Sequence, residues 1–303
     1  MTLCAFLIVM GEFNLMTSTI NIFGEVLFDH FPDGSCVLGG APFNVAWHLQ
    51  ALGVSPLFIS RVGNDREGQD ILDLMTAWGM SLTGMQRDDT HSTGSVQVHI
   101  EQGEPHYGIV EHSAYDFIEA SSLATQGVLY HGSLAVRNEV SALALQHLKA
   151  QHQGKIFMDV NLRAPWWQKN TLETLLHDAH WVKLNQHELA EFYDVSDLKR
   201  AAQQFAQDFD LEAVFVTCGE HGAMLWNAIE HSSFTVKPQS AISVVDTVGA
   251  GDAFASVLLL GLTQQWQMQT LLERAQALAS AIVGKRGATV ADKAFYQAFV
   301  EQW

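Results

Sequence analysis

The stretch GAGDAF, residues 249–254, sets one carboxylate beside two glycines where a strand-like run gives way to an apolar helical run. A helix start leaves its first N–H groups unpaired and carries about half a positive charge, so it attracts anions. Gly249 and Gly251 let a ligand approach the backbone there. Asp252 falls in the first helical turn, where the dipole favours its ionised form. Such a carboxylate can take the proton of an attacking hydroxyl while nearby N–H groups stabilise charge on a transferring phosphoryl group. The chemistry is that of an alcohol attacking a phosphate. An ordinary capped helix would show the same six residues, and on the six-mer alone that plainer account is the stronger.

Other phosphate and metal motifs are absent from the sequence. Phe254 stands where G-x-G-x-x-G needs its third glycine, and the stretch lies near the C-terminus instead of in a first βαβ unit. No G-x-x-x-x-G-K-[ST] occurs, and NQHELAEF lacks the second histidine of H-E-x-x-H. The 14 histidines show no ligand spacing.

The elements that must position Asp252 alternate. Strands are expected at 19–28, 56–63, 127–133, 155–161, 181–185, 213–219, 222–227 and around 242–246. Helices are expected at 39–53, 66–79, 138–151, 170–178, 186–192, 197–208, 251–265 and 268–284. Strand followed by helix, repeated, is the sign of a parallel sheet covered by helices. Residues 93–117 break the rhythm with apolar/polar alternation around the turn QGEP, a hairpin whose two faces meet different surroundings.

The chain has 303 residues, 48% hydrophobic and 16% charged, enough for a sizeable core. Its net charge of −17 argues against nucleic acid or an anionic membrane as partner. Any anion must be held locally, by backbone N–H groups, a few basic side chains and a metal. Three scattered cysteines, Cys4, Cys36 and Cys218, give neither a disulfide framework nor a zinc knuckle, which fits a reducing, cytoplasmic compartment. The apolar runs near 4–10 and 256–262 are too short to span a bilayer. Residues 1–16 carry no basic n-region and no cleavage site, so they are expected to be an upstream extension, with Met16 an alternative start and the domain running from 17 to 303.

DTVGAGDAF (246–254) together with GGAPFNVAWHLQALG (39–53) resembles the two signatures of the PfkB, or ribokinase-like, carbohydrate kinases, in the family's order. RVGNDREG (61–68), NQHE (185–188) and VTCGEHGA (216–223) are similar to further family segments. Within the family, GEVLFDHFPDG, GGAPFN, LYHGSLAVR and DVNLRAPWW look most like bacterial fructokinases.

The resemblance implies a three-layer α/β sandwich with a mostly parallel central sheet, helices on both faces and a small β lid from about 30–38 and 93–117. It implies Mg·ATP-dependent phosphorylation of a sugar hydroxyl, with D-fructose the first choice of acceptor. 2-Keto-3-deoxygluconate, ribose, a nucleoside, or a catalytically silent sugar-binding protein on the same fold are the alternatives. Asp252 looks like the base, and Gly249, Ala250 and Gly251 like the anion hole. Asp29, Gly39, Gly40 and Asn44 resemble the sugar site. Asn185 and Glu188 form the N-x-x-E pattern that orders Mg²⁺, largely through water, beside the nucleotide, and Thr217, Gly219 and Gly222 look like the nucleotide loop. Arg163 is expected at the γ-phosphate, with a structural ion pair to Asp159 or another acid as the competing use. Trp166 and Trp167 are expected to pack. Asp246 and Gly287 resemble a monovalent-cation site, for K⁺, although Ala291 stands where some relatives have a serine ligand. A homodimer through the lid is a further implication.

Overall fold

Apolar runs of the chain form strands, and amphipathic or apolar runs between them form the covering helices. A computed structural model describes residues 20–101, 104–120, 125–238 and 243–303. The expected extension, 1–16, lies outside the described residues. The elements in order are β1 (Ile20–Phe23), β2 (Leu27–His30), β3 (Cys36–Gly39), α1 (Ala41–Ala51), β4 (Leu57–Gly63), α2 (Arg66–Trp78), β5 (Met85–Asp88), β6 (Gly94–Glu101) and β7 (Glu104–Ile109). They continue with β8 (Gln126–His131), α3 (Glu139–Gln151), β9 (Gln153–Asp159), α4 (Lys169–His177), β10 (Trp181–Asn185), α5 (Gln186–Ala190), α6 (Leu198–Asp208) and β11 (Ala213–Thr217). β12 (Ala223–Asn227), β13 (Ser232–Val236), α7 (Ala250–Thr263), α8 (Met268–Val283) and α9 (Lys293–Val300) complete the chain.

Among the described residues the main sheet has nine strands, in the order β13-β12-β11-β10-β9-β8-β1-β4-β5. β11 through β5 run parallel, while β12 and β13 add an antiparallel edge. Two cores cover its faces. One gathers Phe43, Leu49, Ile71, Phe254, Leu258, Leu271, Leu278 and Tyr296 from α1, α2, α7, α8 and α9. The other gathers Leu145, Leu148, Leu172, Leu176, Leu189 and Phe205 from α3, α4, α5 and α6. The result is the expected three-layer α/β sandwich with a mostly parallel sheet. A second sheet, β3-β2-β6-β7, is the small β lid. Its centre is a parallel pair, β2 with β6, flanked by two antiparallel pairs.

Several elements differ from the sequence expectation. The single strand 19–28 is two: β1 belongs to the main sheet and β2 to the lid, and residue 19 is outside the described residues. The break falls at Gly24, where any side chain would collide with the ring of Pro42. The hairpin 93–117 is confined to β6 and β7; Ala114–Phe117 is a 3₁₀ turn, and the tip residues 102–103 lie outside the described residues. No strand forms at 243–246, and residue 242 is outside the described residues. There the N–H groups of Val245 and Asp246 both donate to the Val283 carbonyl, at 2.9 and 3.2 Å, so the segment follows the end of α8 instead of a strand. β5, β13 and α9 were not foreseen.

Candidate active site

The C-terminal residues of β1, β8, β9, β10 and β11 are Phe23, His131, Asp159, Asn185 and Thr217, and the candidate residues gather at this end of the parallel sheet, where open α/β sheets bind ligands. Gly249 caps α7 with φ 78°, and a side chain there would collide with Ala288. The Ala250 N–H reaches the Thr247 carbonyl only at 3.4 Å, and the Gly251 N–H has no backbone partner among the described residues. The Gly251 N–H is thus left over at the helix start, and the Ala250 N–H is held only by a long bond.

Asp252 lies in the first turn of α7. Asn44, buried on α1, donates from Nδ2 to Asp252 Oδ2 at 2.8 Å across 208 residues of sequence, so the two signature stretches meet at one hydrogen bond. The Asp252 carboxyl is lifted to about 6. Burial is the main cause; the Asn44 hydrogen bond opposes it, the Asp159 charge adds to it, and Lys183 and Arg163 pull it back. The helix dipole was expected to favour the charged form outright. Burial outweighs it, yet the carboxylate remains mostly ionised at neutral pH.

Asp29 was expected just past the first strand and instead sits within β2, on the lid, paired in register with Val37. Its Oδ2 lies 3.4 Å from the point where a side chain on Gly39 would begin. Burial raises the Asp29 carboxyl, and Arg163 and His30 oppose the rise. Gly40 is the N-cap of α1 at φ 105°, where a Cβ would stand 2.7 Å from the Glu25 carbonyl oxygen. Only glycine fits that close approach.

Asn185 and Glu188 form a capping box at the start of α5. Asn185 Oδ1 accepts from the N–H groups of His187 and Glu188, at 2.9 and 3.0 Å, while Glu188 Oε2 accepts from the Asn185 N–H at 2.8 Å. Glu188 Oε1 accepts from the Leu162 N–H at 2.8 Å. Both carboxylate oxygens are therefore held by backbone. No cluster of three or more His, Cys, Asp or Glu among the described residues could hold a metal. The oxygen donors of Asn185 and Glu188 fit Mg²⁺ kept at a distance by its own waters, and do not build a cage. Thr217 pairs in register with Asn185 on the next strand. Gly219 and Gly222 shape the loop that follows, with φ 55° and 94°. Asp246 Oδ2 accepts from the Gly287 N–H at 3.0 Å, so these two are together, and Oδ1 accepts from the Val248 N–H at 3.0 Å.

Arg163 is exposed and forms no ion pair among the described residues. The competing expectation, a bond to Asp159, is taken by a residue that sequence reasoning missed. Lys183 Nζ, buried on β10, meets both oxygens of Asp159 at 2.9 Å. Burial works against the ammonium, but the Asp159 charge and hydrogen bond outweigh it, with Glu188 and Asp252 adding, and the Lys183 pKa stands above its usual value. WVKLN read as a strand and nothing more; the one signal was a lysine in an otherwise apolar core strand. RVGNDREG is structural in part: Asp65 accepts from the Thr93 N–H and hydroxyl, at 2.8 and 2.7 Å, and so ties α2 to the base of the lid. Trp166 packs against the second core and under the Arg137 guanidinium.

Sequence comparison matches residues 2–294 to the pfkB family carbohydrate kinases. A fructokinase of Salmonella typhimurium is 27% identical over 91% of this chain and 96% of its own length. One of Klebsiella pneumoniae is 30% identical over 88% and 91%. The crystal structure of fructokinase from Vibrio cholerae O395, in a form bound to fructose, ADP and calcium ion, superposes with a TM-score of 0.79 at 28% identity, covering 94% of this chain and 99% of that one. The chain belongs to the pfkB family of carbohydrate kinases and is an ATP-dependent, fructokinase-like sugar kinase.

Proposed function

We propose that this kinase transfers the γ-phosphoryl group of ATP to a hydroxyl of D-fructose. The observation that carries the site is the 2.8 Å bond between Asn44 and Asp252, which joins the start of α1 to a carboxylate beside the unpaired Gly251 N–H at the start of α7. Asp252 takes the proton of the sugar hydroxyl, the hydroxyl oxygen forms its bond to the γ-phosphorus, and the bond to the bridging oxygen breaks to release ADP. The Gly249, Ala250 and Gly251 turn faces the charge that develops on the phosphoryl oxygens, and Arg163, which forms no ion pair among the described residues, balances it. Asp29, Gly39, Gly40 and Asn44 hold the sugar under the lid. Thr217, Gly219 and Gly222 line the nucleotide.

Asn185 and Glu188 would order the Mg²⁺ that neutralises the phosphates, through water. Asp246 and Gly287 would frame a K⁺ site, to which Ala291 offers no hydroxyl. The catalytic unit is 17–303, with lid segments 30–38 and 93–117. Val37 and Tyr107, 38% and 53% exposed on the lid, support a pairing of two chains lid to lid. The similarity to fructokinases of several bacteria supports fructose as acceptor. A coupled ADP-release assay against fructose, ribose, 2-keto-3-deoxygluconate and a nucleoside tests it: fructose should give the highest kcat/KM, and a higher value for another acceptor would overturn the choice.

A further inference from the structure

Residues 284–292 follow α8 without helix or strand, yet they pack on the turn that opens α7. The Cα, Cβ and carbonyl oxygen of Ala288 stand 2.4, 2.5 and 2.6 Å from the point where a side chain on Gly249 would begin. Where Ala288 lies therefore decides where Gly249 can lie. An irregular segment has no ladder of backbone bonds, so side chains must satisfy and hold it. The Gly287 N–H donates to Asp246 Oδ2 at 3.0 Å, the Val290 carbonyl accepts from Trp47 Nε1 at 3.1 Å, and the Val290 N–H donates to the Tyr296 hydroxyl at 3.2 Å. Between these ties the Ala288 carbonyl meets Nε2 of His48 at 3.1 Å. The oxygen that His48 holds is the one that faces Gly249.

His48 is 0% exposed on α1, and its other ring nitrogen, Nδ1, meets the Tyr296 hydroxyl at 2.9 Å. Burial keeps the ring neutral, lowering its pKa to about 4 against the pull of the Ala288 hydrogen bond. A carbonyl oxygen can only accept, so the single ring proton sits on Nε2. Nδ1 then carries a lone pair, and the Tyr296 hydroxyl donates to it while its oxygen accepts from Val290. The chain of bonds closes with one tautomer and leaves no group in it unpaired.

Asn44 stands four residues before His48, so the two side chains leave α1 on the same face. Asn44 holds Asp252 directly at 2.8 Å. His48 holds Ala288, and through it the wall against Gly249, on the other side of the same turn. One helix thus sets the base and the anion turn relative to each other. We propose that His48 is a positioning residue for phosphoryl transfer, fixing the turn at 249–251 against the base that Asn44 holds from the same helix. This rests on the kinase reading of the site given above.

The test compares wild type, His48→Asn and His48→Gln by ADP release with ATP and the best acceptor of the panel above. Asparagine puts a polar atom where Nδ1 stands and falls short of Ala288. Glutamine puts an N–H where Nε2 stands and reaches it. His48→Asn should lower kcat by at least about tenfold, the effect of a displaced transition-state contact, with both KM values within a few-fold of wild type. His48→Gln restores the donor and should recover most of that loss. A histidine that only supports the fold would shift both melting temperatures and leave kcat alone. Equal kcat in the two variants, or a loss seen in KM instead of kcat, overturns the proposal. Should His48→Asn fail to fold, Tyr296→Phe removes the hydroxyl that orients the ring, and kcat should again fall at unchanged KM; an unchanged kcat refutes the idea. In the wild type, ¹⁵N–¹H correlation of the imidazole should find the proton on Nε2, and a proton on Nδ1 would leave Ala288 without its donor and refute it too. Wild type without turnover on any sugar would sink the kinase reading instead. The amide resonances of Gly249, Ala250 and Gly251 would then decide the positioning: displaced in His48→Asn and restored in His48→Gln supports it, and the same pattern in both variants rejects it.

Discussion

The ammonium of Lys183 lies 3.5 Å from the point where a side chain on Gly251 would begin. A buried cation thus backs the helix start, and only the missing side chain of Gly251 leaves the approach open. Gly251 and Gly249 are therefore glycines for different reasons.

Gly251→Ala should fold well. The added methyl makes ordinary contact, and alanine favours a helix over glycine by up to about 1 kcal/mol. It also fills the space an anion would use, so kcat should fall about 10²-fold, the scale of losing one charge-stabilising donor. Gly249→Ala should damage the fold, because its φ is 78° and the methyl meets Ala288. Melting curves beside kinetics check both; equal loss of stability in the two variants would contradict the distinction.

Lys183→Met leaves the Asp159 carboxylate buried and uncompensated. Breaking such a pair from one side costs about 3–5 kcal/mol. Lys183→Met combined with Asp159→Asn should recover much of that loss. Urea denaturation of the three proteins measures it, and a double variant no better than the single one would mean the pair is not the cause.

Asp252 must be ionised to accept a proton, and its carboxyl stands at about 6. Protonation removes the base, so kcat/KM should be flat above that pH and fall about tenfold per pH unit below it. Asp252→Asn should lower kcat by about 10²–10⁴-fold and abolish the acid limb. A limb that survives in the variant belongs to another group.

Asp29→Ala should weaken sugar use by at least about tenfold in kcat/KM, the effect of about 1.5–3 kcal/mol for a hydrogen bond to a charged group. KM for ATP should stay within a few-fold, since Asp29 sits on the lid in β2. Kinetics with each substrate varied in turn, beside a melting curve, separates this from a stability effect. Equal damage to both substrates would contradict the assignment.

What could be read from the sequence follows a physical line. Asp252 and Asn44 were legible because glycines flank both helix starts and mark a close approach. Lys183 was not, because its partner is set by sheet register: Lys183 lies opposite Asp159 on neighbouring parallel strands, 24 residues away. No local pattern encodes such a pairing. His48 was hidden for a related reason. In VAWHLQ it reads as one polar residue on a helix, and only the fold sets it against the Ala288 carbonyl, 240 residues away. The edge strands β5 and β13 were missed because their solvent-facing positions dilute the apolar signal.

The central strand pair of the lid has a kinetic consequence. β2 and β6 meet in parallel at Leu27 and Gly94, with β3, α1, β4, α2 and β5 between them in the chain. Pairings of such separation carry a loop-closure cost that must be met before they hold. The lid's local hairpins, β2–β3 and β6–β7, can each form early, but they join into one sheet only when that loop closes. Because the chain breaks at Gly24, the lid can also come apart without unravelling β1, which β4 and β8 clasp from both sides. Amide exchange should show it: protons of the β2–β6 ladder should leave through a local opening, while those of β1 wait for global unfolding.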